Sequence, residues 1–193
     1  MRGGDAGPSS DTTASEPFGP TVAALDDAFD RMLDRVRGNR IADRVMYTAS
    51  AVGDWSIVWH VIGAARLAAD PSRRGESVRL STVLAAESLI INQGVKRLFR
   101  RVRPAGDPDR AHPHTLRLPS TSSFPSGHAS AAFCAATLLA ETSSPAAAGL
   151  WFAVATVVAL SRPYVRMHHV SDTVAGAAIG VAFGQLARRL WPI

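Results

Sequence analysis

The run Asp172-Thr173-Val174-Ala175-Gly176-Ala177-Ala178-Ile179-Gly180-Val181-Ala182-Phe183-Gly184-Gln185-Leu186-Ala187 decides how this chain folds. After Asp172 it carries no charge. Gly176, Gly180 and Gly184 fall four apart, so a helix gathers them into one stripe along which another helix can approach closely. Asp172 stands one turn before Gly176, so an acidic group winds into the same seam.

Four further apolar segments precede this one, over residues 45–69, 78–95, 126–140 and 146–160. Polar or Gly/Pro-containing linkers separate them, including the long 100–125 stretch. No period-two alternation competes with helix, so the chain reads as all-α. A membrane span wants about 20 apolar residues. The last three segments fall short of that, and the first two carry ionisable residues such as Asp54, His60 and Glu87. Still, five such helices in sequence would make an unusually apolar soluble bundle. The expectation is a membrane-embedded helical bundle of about five core helices, multi-pass in the cell membrane.

Ahead of the bundle, Val22, Leu25, Phe29, Met32, Leu33 and Val36 recur at helical spacing, and Asp27 and Arg31 form an i,i+4 pair. Residues 21–37 therefore read as an amphipathic helix, lying on a membrane surface or capping the bundle. The first nineteen residues, rich in Gly, Ser, Thr, Pro and Asp, read as a disordered tail; they lack the apolar stretch of a signal peptide. The expected organisation is a tail over 1–19, an amphipathic helix and linker over 20–44, and the helical bundle over 45–193.

The net charge is +5, and of 21 cationic side chains only Lys96 is a lysine. A basic balance suits nucleic acid, an anionic membrane surface or an anionic substrate. There is no zinc-finger spacing and no basic helix with interleaved aromatics, which excludes nucleic acid as the expected partner. Cys134 is the sole cysteine, so no intrachain disulfide forms, and its apolar surroundings make it a packing residue.

Three blocks carry chemistry. The first is Lys96-Arg97-Leu98-Phe99-Arg100-Arg101-Val102-Arg103-Pro104. Lys96 and Arg103 are seven apart and share a face if the helix continues that far, with Pro104 ending it. The second is Pro125-Ser126-Gly127-His128. Proline and serine suit a helix start, glycine admits a close ligand, and free N–H groups at such a start bind phosphate. His128 in the first turn could then act as a general acid beside a bound anion. The third runs from Ser161-Arg162 to His168 and Asp172. On a helix His168 and Asp172 share a face, so the carboxylate can accept a hydrogen bond from one imidazole nitrogen and leave the other nucleophilic. Arg162 can reach a phosphate oxygen with its planar fork. His169 points away and reads as a neighbour.

These blocks together resemble the type 2 phosphatidic acid phosphatase superfamily, which also includes bacterial class A acid phosphatases and vanadium-dependent haloperoxidases. Its motifs K-x6-R-P, P-S-G-H and S-R-x5-H-x3-D match Lys96 to Pro104, Pro125 to His128 and Ser161 to Asp172 without departure. The resemblance covers about residues 80–190 and leaves the residues before them unassigned. It implies that His168 is the nucleophile, Asp172 its orienting partner and His128 the leaving-group acid. It also implies a phosphate pocket of Lys96, Arg103, Arg162, Ser126 and Gly127, with no metal and no cofactor. The apolar segments point within the superfamily to the membrane lipid phosphatases. The expected activity is metal-independent hydrolysis of a lipid phosphate or diphosphate, with a polyprenyl carrier lipid of envelope synthesis as the first candidate. Phosphatidic acid and phosphatidylglycerophosphate are the alternative substrates.

Two readings of other classes remain. A metal-dependent hydrolase could draw on His112, His114, His128, His168 and Asp172, though three cationic side chains at the pocket would repel a divalent ion. A non-enzymatic membrane protein could use its arginines to bind anionic lipid, but that gives His168 and Asp172 no reason to share a turn near Arg162.

Overall fold

The computed structural model describes residues 17–104 and 121–193. Among them every regular element is helical: α1 (Gly19–Asp34), α2 (Arg40–Val52), α3 (Ile57–Ala69), α4 (Arg74–Leu89), the short turn α5 (Lys96–Leu98), α6 (Gly127–Glu141), α7 (Pro145–Tyr164) and α8 (Val170–Leu190). The expected tail lies almost wholly outside the described residues. So do His112 and His114 of the metal reading.

The helix starts follow from local chemistry. Asn39 accepts from the amides of Ile41 and Ala42 at the head of α2. Ser144 caps α7 just before Pro145, which sits where a missing N–H costs nothing. At α8 the backbone N–H of His169 donates to Asp172 Oδ2 at 2.9 Å, half of a reciprocal capping box.

Helix α6 is the axis of the bundle, with ten of its fifteen residues buried. Its alanines, together with Trp59, Leu80, Leu84 and Val158, form the main core. Small side chains let α8 come in close. A Cβ added at Gly180 would overlap the carbonyl oxygen of Ser130, and one at Gly176 would overlap that of Ser126. The glycine stripe is therefore the α6–α8 seam, and no larger residue fits it.

Helices α7 and α8 are long and apolar enough to cross a membrane. Large apolar side chains on the outer surface include Ile41, Val61, Leu89, Leu150, Val174 and Leu186. Exposed apolar side chains of this size suit lipid better than water.

Two sequence expectations change in detail. Segment 45–69 is two helices, broken at Gly53–Ser56, where Trp55 (φ 56°) and Ser56 (φ 59°) are both left-handed. Non-glycine residues there carry strain of order 1–3 kcal/mol each. The second change is that the helix does not reach Arg103. A π-helical stretch (Ile90–Val95) leads into α5, and the chain turns extended at Phe99. Proline disfavours helix at the residue before it. Phe99 instead packs edge-on to Phe124 at 4.7 Å, and the Arg101 carbonyl accepts from the Ser123 amide at 3.0 Å.

The chain reversals put the starts of α6 and α8, the end of α7 and the α2–α3 break at one end of the bundle. The other end is tied by ion pairs of Arg79 with Glu141 and of Arg66 with Glu76, the latter at 2.9 Å.

Candidate active site

His168 lies between α7 and α8, just ahead of the α8 cap and not within the helix. It is 3% exposed. Its Nδ1 is 2.6 Å from the carbonyl oxygen of Ser123, which can only accept, so this nitrogen carries the proton. Nε2 then holds the lone pair, and Arg103 Nη1 approaches it at 3.3 Å. Asp172 Oδ2 stands 3.8 Å from Nδ1, as an electrostatic neighbour, with Ser123 taking the direct hydrogen bond. Burial, aided by the positive Arg162, Arg103 and Lys96 and opposed by Asp172, pushes the His168 imidazole down to about 3. It is neutral at physiological pH, as a nucleophile requires.

The cationic groups arrive from separate elements. Lys96 follows the π-helical stretch, a feature frequent at functional sites. Its Nζ lies 3.6 Å from where a Gly127 Cβ would be, so it faces the turn that opens α6. Arg103 comes in on extended chain, held by the carbonyl of Met167 at 2.6 Å. Arg162, near the end of α7, is buried and donates through Nη1 to the Ser50 hydroxyl. The Nε atoms of Arg103 and Arg162 are both buried without a protein partner among the described residues. An orphan buried donor is costly, and an anion's oxygens would satisfy both.

The start of α6 completes the floor. Ser126 is its cap, accepting from Ala129 N, and its own amide donates to the Asp172 carbonyl at 3.0 Å. That bond ties the first turn of α8 to the start of α6. His128 sits in the first turn of α6, with Nε2 2.9 Å from Asp54 Oδ1. This contact holds the Asp54 carboxyl below its ordinary range. A cavity of about 340 Å³ reaches His168, His169 and Arg103 from the side of α1.

All eight sequence-derived residues thus meet at one end of the bundle: Lys96, Arg103, Ser126, Gly127, His128, Arg162, His168 and Asp172. The arrangement offers a buried neutral imidazole, three cationic side chains and the helix-start amides of α6 for a tetrahedral anion, and a second imidazole in the first turn of α6. Four participants lay outside the sequence reading. Ser123 contributes a backbone carbonyl, which no side-chain motif announces. Asn92, one turn before Lys96, faces Gly127, with Oδ1 3.4 Å from the same added Cβ. Asp54 could have been suspected as a carboxylate inside an apolar segment. Arg101 was hidden within a basic run.

Comparison with known proteins places the chain in a family. The profile of the PAP2 superfamily matches residues 77–192. The decaprenylphosphoryl-5-phosphoribose phosphatase of Mycolicibacterium smegmatis is 35% identical over 129 residues, covering 66% of this chain and 67% of that protein. The Mycobacterium tuberculosis protein of the same description is 33% identical over 143 residues, covering 71% and 73%. Among solved structures, the transmembrane PAP2-type phosphatidylglycerolphosphate phosphatase of Bacillus subtilis superposes with a TM-score of 0.71 at 22% identity, over 90% of this chain and 87% of that one. At that identity the likeness speaks for the fold.

Proposed function

Because the chain belongs to the PAP2 superfamily and the relatives it matches are phosphatases, we propose that it hydrolyses a lipid-linked phosphate through a phosphohistidine on His168. The observation that carries this reading is the buried His168 imidazole, protonated on Nδ1 by its contact with Ser123 and presenting Nε2 to Arg103.

Lys96, Arg103, Arg162 and the amides at the start of α6 hold the phosphate oxygens. Nε2 attacks phosphorus while the bond to the leaving oxygen breaks, and His128 gives that oxygen a proton. Water then attacks the phosphohistidine, with His128 taking its proton, and His168 is released. The three cationic side chains stabilise the added charge of the five-coordinate state more than the charge of the bound substrate, and this difference is what accelerates the reaction. Asp172 faces the positive charge that grows on the imidazole.

This route needs no metal, and the same cations oppose divalent binding. The substrate is a polyprenyl carrier phosphate. The reading is supported by the decaprenyl-linked substrates for which the two mycobacterial relatives are named and by the apolar helices around the pocket. The protein is multi-pass in the cell membrane, with the site near one face. Phosphate release from a panel of polyprenyl, phosphatidic acid and phosphatidylglycerophosphate substrates, by purified protein in detergent with and without EDTA, tests it. Polyprenyl-linked substrate should be turned over fastest, with EDTA having no effect. Full loss with EDTA and recovery with zinc would sink the metal-free route.

A further inference from the structure

A line of buried charge runs to the site from the N-terminal helix, through an arginine that the first motif leaves unspecified. Asp26 is the one buried residue of α1, at 4% exposure. Its Oδ2 accepts from Arg101 Nη2 and from the Ser171 hydroxyl, each at 2.6 Å, and its Oδ1 accepts from the Ser171 amide at 2.8 Å. Arg101, equally buried, turns its other nitrogen to Asp172, with Nη1 to Oδ1 at 2.6 Å. The Phe18 ring covers the guanidinium at 5.1 Å. Asp172 is thus held at Oδ1 by Arg101 and at Oδ2 by the His169 amide at 2.9 Å, and Oδ2 is the oxygen that faces His168.

The charges count simply. Two carboxylates and one guanidinium leave one net negative charge beside His168, where positive charge grows during attack. Without Asp26, Arg101 and Asp172 cancel, and the imidazole loses its counter-charge. In a buried setting such a change is weakly screened.

We propose that Asp26 and Arg101 are positioning residues for the reaction, Asp26 offsetting Arg101 so that the negative charge of Asp172 remains available to His168. The inference rests on the reading of His168 as nucleophile. The phosphate grip lies on other residues, so the effect belongs in kcat and not in KM. Charged groups facing His168 from other elements are Arg103, Arg162 and Lys96, and all three stay in place in the variants below.

The test is steady-state and rapid-quench kinetics on wild type, Asp26→Asn, Asp26→Glu, Arg101→Met and the Asp26→Asn/Arg101→Met double variant, with His168→Ala as control. Asp26→Asn should lower kcat about tenfold with KM within twofold, and shift the acid limb of the kcat/KM profile to lower pH. Asp26→Glu should recover most of the rate. The double variant restores one net negative charge, so it should be faster than Asp26→Asn and return the acid limb. A network that is only structural gives losses that add, with the double variant slowest, and that result overturns the proposal. So does Asp26→Asn with wild-type kcat, or with a change confined to KM. Should the double variant not fold, the Asn and Glu variants at position 26 decide on the same two readouts. Phosphoenzyme surviving in His168→Ala would instead remove the nucleophile reading, whatever the position 26 variants do.

Discussion

Asp54 Oδ1 lies 2.9 Å from His128 Nε2, joining the strained break between α2 and α3 to the first turn of α6. Burial holds the His128 imidazole below its ordinary value, and the Asp54 carboxylate opposes that, favouring the protonated form that a leaving-group acid needs. Asp54→Asn should therefore move the alkaline limb of the kcat/KM profile to lower pH. Activated aryl phosphates, which need no proton on departure, should be spared. A pH profile unchanged on poor leaving groups would separate Asp54 from the acid step.

Lys96→Arg keeps the charge but replaces a compact ammonium with a planar fork. Lys96 Nζ sits close against Gly127, where the larger head does not fit the same place. Turnover should fall by about 10²–10³, the usual cost of losing one transition-state donor. Wild-type turnover would reduce Lys96 to generic charge.

Gly180 and Gly149 make opposite predictions from the same substitution class. A Cβ at Gly180 collides with the Ser130 carbonyl oxygen, while at Gly149 nothing lies within 4 Å. Gly180→Ala should cost about 3 kcal/mol of overpacking, roughly 10 °C in Tm. Gly149→Ala should be neutral or stabilising by about 0.5–1 kcal/mol, from helix propensity. Thermal unfolding in detergent reads both. Equal Tm values would mean that α6 and α8 are not in contact at Gly180.

Much of this was legible in the sequence because helix period and motif spacing are local. The glycine stripe foretold a close helix–helix seam, though not that α6 fills it, and Ser126 foretold the start of α6. The limits were equally physical. Segment 45–69 shows unbroken apolarity, and periodicity cannot register two left-handed residues that rest on strain at Trp55 and Ser56. Lys96 and Arg103 suggested one helical face by their spacing, yet the chain turns extended at Phe99, which packs on Phe124, and the two meet the site from different elements. His168 and Asp172 suggested a direct hydrogen bond. The α8 cap claimed the carboxylate, and a backbone oxygen of Ser123 claimed the imidazole. Asp26 gave no signal, because one acidic residue on an amphipathic helix reads as solvated until its partner 75 residues away is placed.

The depressed His168 carries a stability consequence whose sign is fixed. Unfolded, the imidazole binds a proton below its ordinary value near 6.5; folded, it resists protonation down to about 3. The unfolded state therefore binds more protons between these values, and stability falls as pH drops through that window, by up to about 1.4 kcal/mol per unit. Tm measured at pH 7 and pH 5 should fall less in His168→Asn than in wild type. An identical fall would place the acid sensitivity elsewhere.

The central claim is the covalent bond to His168 Nε2. Rapid quenching of wild type with phosphate-labelled polyprenyl substrate should trap an acid-labile, alkali-stable phosphoenzyme, absent from His168→Ala and retained in His128→Ala with an activated aryl phosphate. A wild type that turns over substrate with no such adduct, or an adduct that persists in His168→Ala, would contradict it.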